Sequence, residues 1–339
     1  MCNVEKVTKG QYYTKAQLWL KPQIIDFIQN SGCTIAYDPF AGAGDMLNIA
    51  YLYGIERFKG LDIDDSLIWE INDSLINIPH IDDAIIITNP PYLTNYSASR
   101  KKVLSKVKKY FDQSQYNDLY LIALDKMLQA QEYIVAIIPE TFINSNYKAK
   151  NRLVSITILE DNLFEDTDTP VCIACFDGNE KSFEQVSVYK NETYVSSLQG
   201  IEDARPVAKK SLSIKFNVMD GWLGLRAVDT TNPNNMIHFD FKDQFDYDWE
   251  VGIKISSRLL SLIDINIDES KKQDYINECN KVLNTVRTNS NDIILSPFKG
   301  NMKNGVRRRR LDFYTARAIM EQAYNNLQEK KQYEQLRLF

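Results

Sequence analysis

Asn89-Pro90-Pro91-Tyr92 closes a run of apolar β-formers, Ala84-Ile85-Ile86-Ile87-Thr88. Two successive prolines donate nothing to a strand ladder and push the residue before them out of the helical region. The strand therefore ends there, with Asn89 and Tyr92 on a stiff, extended loop. In an open α/β sheet that carboxyl edge is where ligands sit. A loop of this kind suits an amine whose lone pair is drawn into a conjugated ring, for which a strong base is of little use. Two fixed acceptors, the Asn89 side-chain oxygen and the Pro90 carbonyl, would take the amine hydrogens and aim the lone pair at an electrophile. Tyr92 would stack on the ring, a contact worth roughly 1–3 kcal/mol. A turn of the same composition can also be mere punctuation.

A second constellation lies upstream. Asp38-Pro39-Phe40-Ala41-Gly42-Ala43-Gly44 follows a β-prone stretch, Cys33 to Tyr37, and precedes an apolar helical pattern from Met46 to Leu52. Gly42 and Gly44 let the backbone of a strand-to-helix turn approach a ligand. The spacing is not the dinucleotide fingerprint, because position 47 is Leu. Gly60-Leu61-Asp62-Ile63-Asp64 ends a further strand in acid. Asp62 stands where a nucleoside-binding βαβ unit places its ribose-diol acceptor, and Asp64 reads as a solvated turn residue.

Together these stretches resemble the S-adenosylmethionine-dependent DNA adenine methyltransferases of γ-type motif order. The resemblance covers roughly residues 8–178. It implies that S-adenosylmethionine is held by Asp38, Phe40, Gly42, Gly44, Asp62 and Ile63. Asn72-Asp73-Ser74-Leu75 is similar to the segment whose acid contacts the cofactor's adenine ring, which assigns Asp73 and Ser74. Gly10-Gln11-Tyr12-Tyr13-Thr14 resembles the motif that closes over the methionine end, which assigns Tyr13 and Thr14; Lys15 follows where that motif often has Pro. Glu132 to Pro139 is similar to a later core strand. Phe164, ahead of the strand Val171 to Phe176, sits where the family places a second aromatic against the extruded base. The implied catalytic set is Asn89, Pro90, Pro91, Tyr92 and Phe164.

The 339 residues suit two domains, but the net charge of −5 is unusual for a nucleic-acid partner. Its distribution matters more than its sum. Lys299, Lys303, Arg307, Arg308, Arg309 and Arg310 crowd a stretch broken by Gly300 and Gly305. We expect Ser296 to Val306 to be a loop leading into a helix from Leu311, with the arginines meeting phosphates through bidentate contacts. A localisation signal competes for that run and is set aside. Lys101, Lys102, Lys106, Lys108 and Lys109 form a second basic run, equally compatible with a solvated face. Five cysteines, an odd number, suit a reducing cytoplasm. Cys172-x-x-Cys175 lacks a second pair or nearby His, and on a strand its thiols point to opposite faces, so no metal is expected. No run of eighteen apolar residues or leader pattern is present, which reads as a soluble, unexported chain.

Alternating β-runs and helical stretches predict an α/β fold, a Rossmann-like doubly wound methyltransferase sheet. Helices are expected from Lys21 to Gln29, Asp118 to Gln131, Lys271 to Val286 and Leu311 to about Lys331. Polar residues loosen the pattern after Phe176-Asp177-Gly178-Asn179. The expected division is a catalytic domain over 1–178 and a C-terminal α+β target-recognition domain over 179–339. The expected activity is methyl transfer from S-adenosylmethionine to the exocyclic amine of adenine flipped out of double-stranded DNA. The chain is expected to be a cytoplasmic monomer. No Asp…Glu-x-Lys nuclease cluster is seen, so any cognate restriction endonuclease would be a separate chain. An RNA adenine or protein-glutamine methyltransferase is the alternative within methyl transfer. Cytosine-amine enzymes usually carry Ser in place of Asn89. A non-catalytic DNA-binding protein of the same fold is the alternative from another class.

Overall fold

The computed structural model describes residues 18–53, 55–164, 167–250 and 259–337. Tyr13 and Thr14, expected to contact the cofactor, lie outside the described residues. The chain forms two compact units, Met1–Gln199 and Gly200–Phe339.

The first unit is built on a nine-stranded sheet. Its strands are β1 (Ile35–Asp38), β2 (Arg57–Asp62), β3 (Glu70–Ile71), β4 (Ala84–Thr88), β5 (Ile134–Pro139), β6 (Leu153–Ile158), β7 (Val171–Phe176), β8 (Ser187–Lys190) and β9 (Thr193–Ser197). They lie in the order β3-β2-β1-β4-β5-β7-β6-β8-β9. β1 pairs in parallel with both β2 and β4, and β4 pairs in parallel with β5. β7 runs antiparallel between β5 and β6. From β1 the chain moves outward through β2 to β3, then returns to start β4 on the other side of β1. The carboxyl ends of β1 and β4 therefore flank a topological switch point, where open α/β sheets place their ligands.

Apolar runs make the central strands because both faces of a parallel sheet are covered. All five residues of β4 are buried. Ile85 and Ile87 join Val135 and Ile137 in one core layer with α1 (Pro22–Asn30) and α2 (Asp45–Leu52). Ile86, between them, faces the other layer. α1 starts at Pro22, whose missing N–H costs nothing in the first turn. α3 (Asn95–Arg100) and α4 (Leu104–Asp112) follow the Asn89–Tyr92 loop, and α5 (Leu119–Ala130) packs on β5. The Thr94 side chain caps α3 by accepting from the Ser97 N–H at 2.9 Å, which fixes the far end of that loop.

The connection from β2 to β3 departs from the usual pattern. The two strands are parallel, with Leu61 opposite Glu70 and Asp62 opposite Ile71. Parallel neighbours normally need a crossover of about a dozen residues or more, generally a helix. Here residues 63–69 suffice and contain no helix. The Trp69 indole lies against Gly60 on β2 and joins the layer of α1 and α2. A single side chain thus covers strand surface that a crossover helix would otherwise bury.

The expected domain boundary moves. β8 pairs in parallel with β6, and β9 pairs with β8, so the first sheet continues past residue 178 and its unit ends at Gln199. Both strands are short and half polar, which hid them in the sequence.

The second unit is α+β. β10 (Ile214–Phe216), β11 (Leu223–Arg226), β12 (His238–Phe241) and β13 (Leu260–Ile265) form an antiparallel sheet in the order β10-β13-β11-β12. α6 (Lys272–Asn289) packs against α7 (Phe313–Arg337). Between those helices, β14 (Ser296–Asn301) and β15 (Arg307–Arg310) make a two-stranded hairpin.

Candidate active site

The loop after β1 is tied to both neighbouring strands. Toward β2, Ala41 N–H donates to the Leu61 carbonyl at 2.9 Å, and Gly42 N–H donates to Asp62 Oδ2 at 2.8 Å. The other oxygen of Asp62 accepts from Asp64 N–H at 2.9 Å, so this buried carboxylate is held at both oxygens. Toward β4, Asp38 Oδ1 accepts from Phe40 N–H at 3.0 Å and from Thr88 Oγ1 at 2.5 Å. Asp38 and Thr88 are both buried. Burial, reinforced by the nearby charges of Asp62 and Asp45, outweighs those two hydrogen bonds and pushes the Asp38 carboxyl up to about 7.

The glycines of this loop serve different ends. Gly42 sits at φ +52, and a methyl group there would meet only the Phe40 carbonyl at 4.0 Å, so its outer face is open. Gly44 is left-handed at φ +86, and a methyl group on it would lie 2.8 Å from the Trp69 ring. On Gly60 the same addition would come within 2.4 Å of that ring. Trp69 Nε1 also donates to the Gly42 carbonyl at 2.8 Å. Gly44, expected to admit a ligand, instead admits an indole. The open face of Gly42, the Asp62 carboxylate and the 58% exposed Ile63 beside it remain as an acceptor and contact set that fits a nucleoside with a free diol.

The Asn89–Tyr92 loop leaves β4 directly beside this one. Asn89, Pro91 and Tyr92 are half-buried and Pro90 is buried. The Tyr92 hydroxyl donates to the Ile137 carbonyl on β5 at 2.7 Å. Its ring is met near edge-on by Tyr120 at 6.5 Å and by Phe164 at 6.2 Å. An aromatic held at its hydroxyl and on its flanks has little rotamer freedom left to lose.

Phe164 is thereby reassigned. It is only 1% exposed and belongs to the core layer of α1 and α2, so it supports Tyr92 from inside, and no ring face is offered to a base. Asp73 is also occupied. Its Oδ2 accepts from Lys109 Nζ and from the Tyr110 hydroxyl, each at 2.9 Å, which ties it to α4. The neighbouring Ser74 is buried and accepts from Asn72 Nδ2 at 2.8 Å. Thr88 and Trp69 were missed in the sequence, since nothing local marks which strand end or glycine each would reach.

Ser296 to Asn301, expected to belong to a loop, is a strand paired antiparallel with the arginine run, which is itself a strand. Arg309 N–H donates to Asp229 Oδ2 at 2.9 Å, and Asp229 is itself fully buried and gripped by both terminal nitrogens of Arg287 at 3.0 Å. Strand alternation then splits the four side chains: Arg307 and Arg309 are buried, while Arg308 and Arg310 are half-buried. Arg308 donates to the Asp229 carbonyl at 2.8 Å and lies over the Phe298 ring at 4.8 Å. Arg307 and Arg309 therefore do not present guanidinium groups to a phosphate backbone, contrary to expectation. Lys299 and Lys303 are exposed, Lys303 at a hairpin tip that Gly305 turns at φ +84. In the other basic run, Lys108 pairs with Asp112 and Lys109 with Asp73.

Among the described residues no cluster of His, Cys, Asp or Glu could hold a metal ion, and no helix is long and apolar enough to cross a membrane. The strand order, with its antiparallel β7, makes a doubly wound α/β sheet in which the two loops meet at the switch point. Residues 73–168, which include the Asn89–Tyr92 loop, match the family model described as Eco57I restriction-modification methylase. No curated protein matches the chain. Solved structures similar to it include a putative class I S-adenosylmethionine-dependent methyltransferase from Listeria monocytogenes, at 13% identity over 50% of this chain and 64% of that one, with a TM-score of 0.35. The type I restriction-modification methyltransferase subunit from Streptococcus thermophilus is 14% identical over 58% of this chain and 52% of that one, with a TM-score of 0.37. The M protein of the type I restriction enzyme EcoKI is 10% identical over 93% of this chain and 71% of that one, with a TM-score of 0.34. The chain thus spans between half and two thirds of the first two.

Proposed function

We propose that this protein transfers a methyl group from S-adenosylmethionine to the exocyclic amine of an adenine in duplex DNA. The observation that carries the reading is the adjacency of two rigid loops at one switch point: the open Gly42 and Asp62 on one side, and Asn89-Pro90-Pro91-Tyr92 on the other. Asp62 and the backbone around Gly42 would hold the nucleoside part of the cofactor, with Ile63 against its ring. Bound S-adenosylmethionine would supply an electrophilic methyl group, its S–CH3 bond breaking as the N–CH3 bond forms, with S-adenosylhomocysteine as the leaving group and the surplus amine proton passing to solvent. Asn89 Oδ1 and the Pro90 carbonyl accept the two amine hydrogens, which keeps the nitrogen lone pair out of the ring plane and directed at the methyl carbon. Tyr92 stacks on the base. The base must leave the duplex to reach this loop, at a cost of a few kcal/mol that stacking partly offsets.

In this reading the second unit is the target-recognition domain, with Lys299, Lys303 and the half-buried Arg308 and Arg310 closest to the phosphates. The enzyme acts as a cytoplasmic monomer, and any cognate restriction endonuclease would be a separate chain. The test is incubation with tritiated S-adenosylmethionine and duplex DNA, followed by digestion to nucleosides. Label in N6-methyladenine is the expected result. Label in cytosine, in RNA alone or in protein would replace the substrate, and cofactor binding without any transfer would reduce the chain to a binding protein.

A further inference from the structure

We propose that Thr88 is a positioning residue: its hydroxyl, bound to Asp38, locks the acceptor loop to the cofactor loop. The inference rests on the methyl-transfer reading and assigns it a residue that touches neither substrate nor cofactor.

Thr88 is the last residue of β4, and Asn89, the amine acceptor, follows it. Asp38 is the last residue of β1, and the cofactor loop follows it. The strands are parallel neighbours paired from Ile35 opposite Ala84 through Tyr37 opposite Ile86, so their ends emerge side by side. One oxygen, Asp38 Oδ1, accepts from Thr88 Oγ1 at 2.5 Å and from the loop amide of Phe40 at 3.0 Å. Backbone pairing joins the strands but stops short of both loops. This carboxylate is the link that continues past it, between residues 1% and 0% exposed.

The link is not needed to cover apolar surface, since Thr88 could be Val at no loss of volume. Its cost is a buried carboxylate facing two further acids, Asp62 at the end of β2 and Asp45 at the start of α2. Such a group is expensive unless the geometry it imposes is useful. In a transfer that depends on two fixed acceptors, a shift of about 1 Å in Asn89 is enough to lose on the order of a hundredfold in rate.

The experiment uses the full-length protein with Thr88→Val, Thr88→Ser and Asp38→Asn. Thr88→Val is expected to lower kcat by tenfold or more with cofactor affinity within a few-fold, and Thr88→Ser to retain most of the rate. Because the Thr88 bond holds the Asp38 carboxyl down against burial, Thr88→Val should also raise the titration of that carboxyl, followed by carbon-13 NMR with Asp38→Asn identifying the signal. That second readout needs no activity, so it decides the link even if wild-type protein methylates nothing, an outcome that would overturn only the parent reading. Should the valine variant fail to fold, Thr88→Ala, which also removes the hydroxyl, carries the titration and the rate against Thr88→Ser. An unmoved Asp38 titration, or equal rates for valine and wild type, would overturn the inference.

Discussion

Asp38→Asn should flatten the pH dependence of stability. The substitution keeps the side-chain shape and an oxygen that accepts from Thr88 and Phe40, but it removes the charge. In the folded chain the Asp38 carboxyl is pushed up to about 7 from an ordinary 3.8. Because the folded value is the higher one, the folded chain binds the extra proton between the two values. Asp38 therefore adds stability on the acid side and loses it as pH rises through about 7. Between about pH 5.5 and about pH 8.5 the loss from this single group comes to about 2 kcal/mol. Urea unfolding of wild type and variant at the two pH values isolates it, since every other titrating group cancels in the difference. Wild type should lose about 2 kcal/mol more than the variant across that range. Equal losses would mean that Asp38 is ionised throughout, and that water or a rearranged loop solvates it.

Three further outcomes follow from the same geometry. Asp62→Ala should weaken S-adenosylmethionine binding by about 1.5–3 kcal/mol, the worth of a hydrogen bond to a charged group, as read by calorimetry; unchanged affinity would leave Asp62 as a brace for the Gly42 and Asp64 amides. Gly60→Ala should destabilise the first unit by about 1–3 kcal/mol through overpacking against Trp69, and Trp69→Ala should abolish that penalty in the double variant. Additive effects in the unfolding free energies would show that the indole does not lie on β2. Replacing Lys299 and Lys303 with Ser should reduce the salt slope of DNA affinity by roughly 0.9 for each phosphate no longer neutralised, whereas Arg309→Ser should first of all cost stability. A slope unmoved by the lysine changes would take the hairpin off the DNA.

Much of the first sheet was legible because its strands are apolar on both faces. Ala84–Thr88 and Val171–Phe176 fall where the sequence placed them, and the Pro-Pro pair ends β4 for a purely local reason. Helix positions at α1, α2 and α5 were legible from apolar spacing. What stayed hidden depends on partners remote in the chain. Ser187–Ser197 reads as loosened polar sequence until β6 offers it an edge, so the first unit runs longer than composition suggests. Four consecutive arginines carry no strand signal; the signal is Asp229, a buried carboxylate far upstream that holds the Arg309 backbone. Phe164 and Asp73 matched a family pattern in sequence, yet what each touches is set by Tyr92 and Lys109. The chemistry of a motif is readable in order, while the direction a side chain faces is settled by packing.

At the centre of the proposed chemistry, Asn89 presents an adenine amine for methylation. Single-molecule sequencing of DNA from cells expressing the wild-type chain, beside cells expressing Asn89→Ala, tests this most directly. The wild type should give N6-methyladenine at one recurring sequence and the variant none, while purified Asn89→Ala still binds S-adenosylmethionine within a few-fold of normal. Modified adenine persisting with the variant, or a different modified base with the wild type, would contradict the assignment.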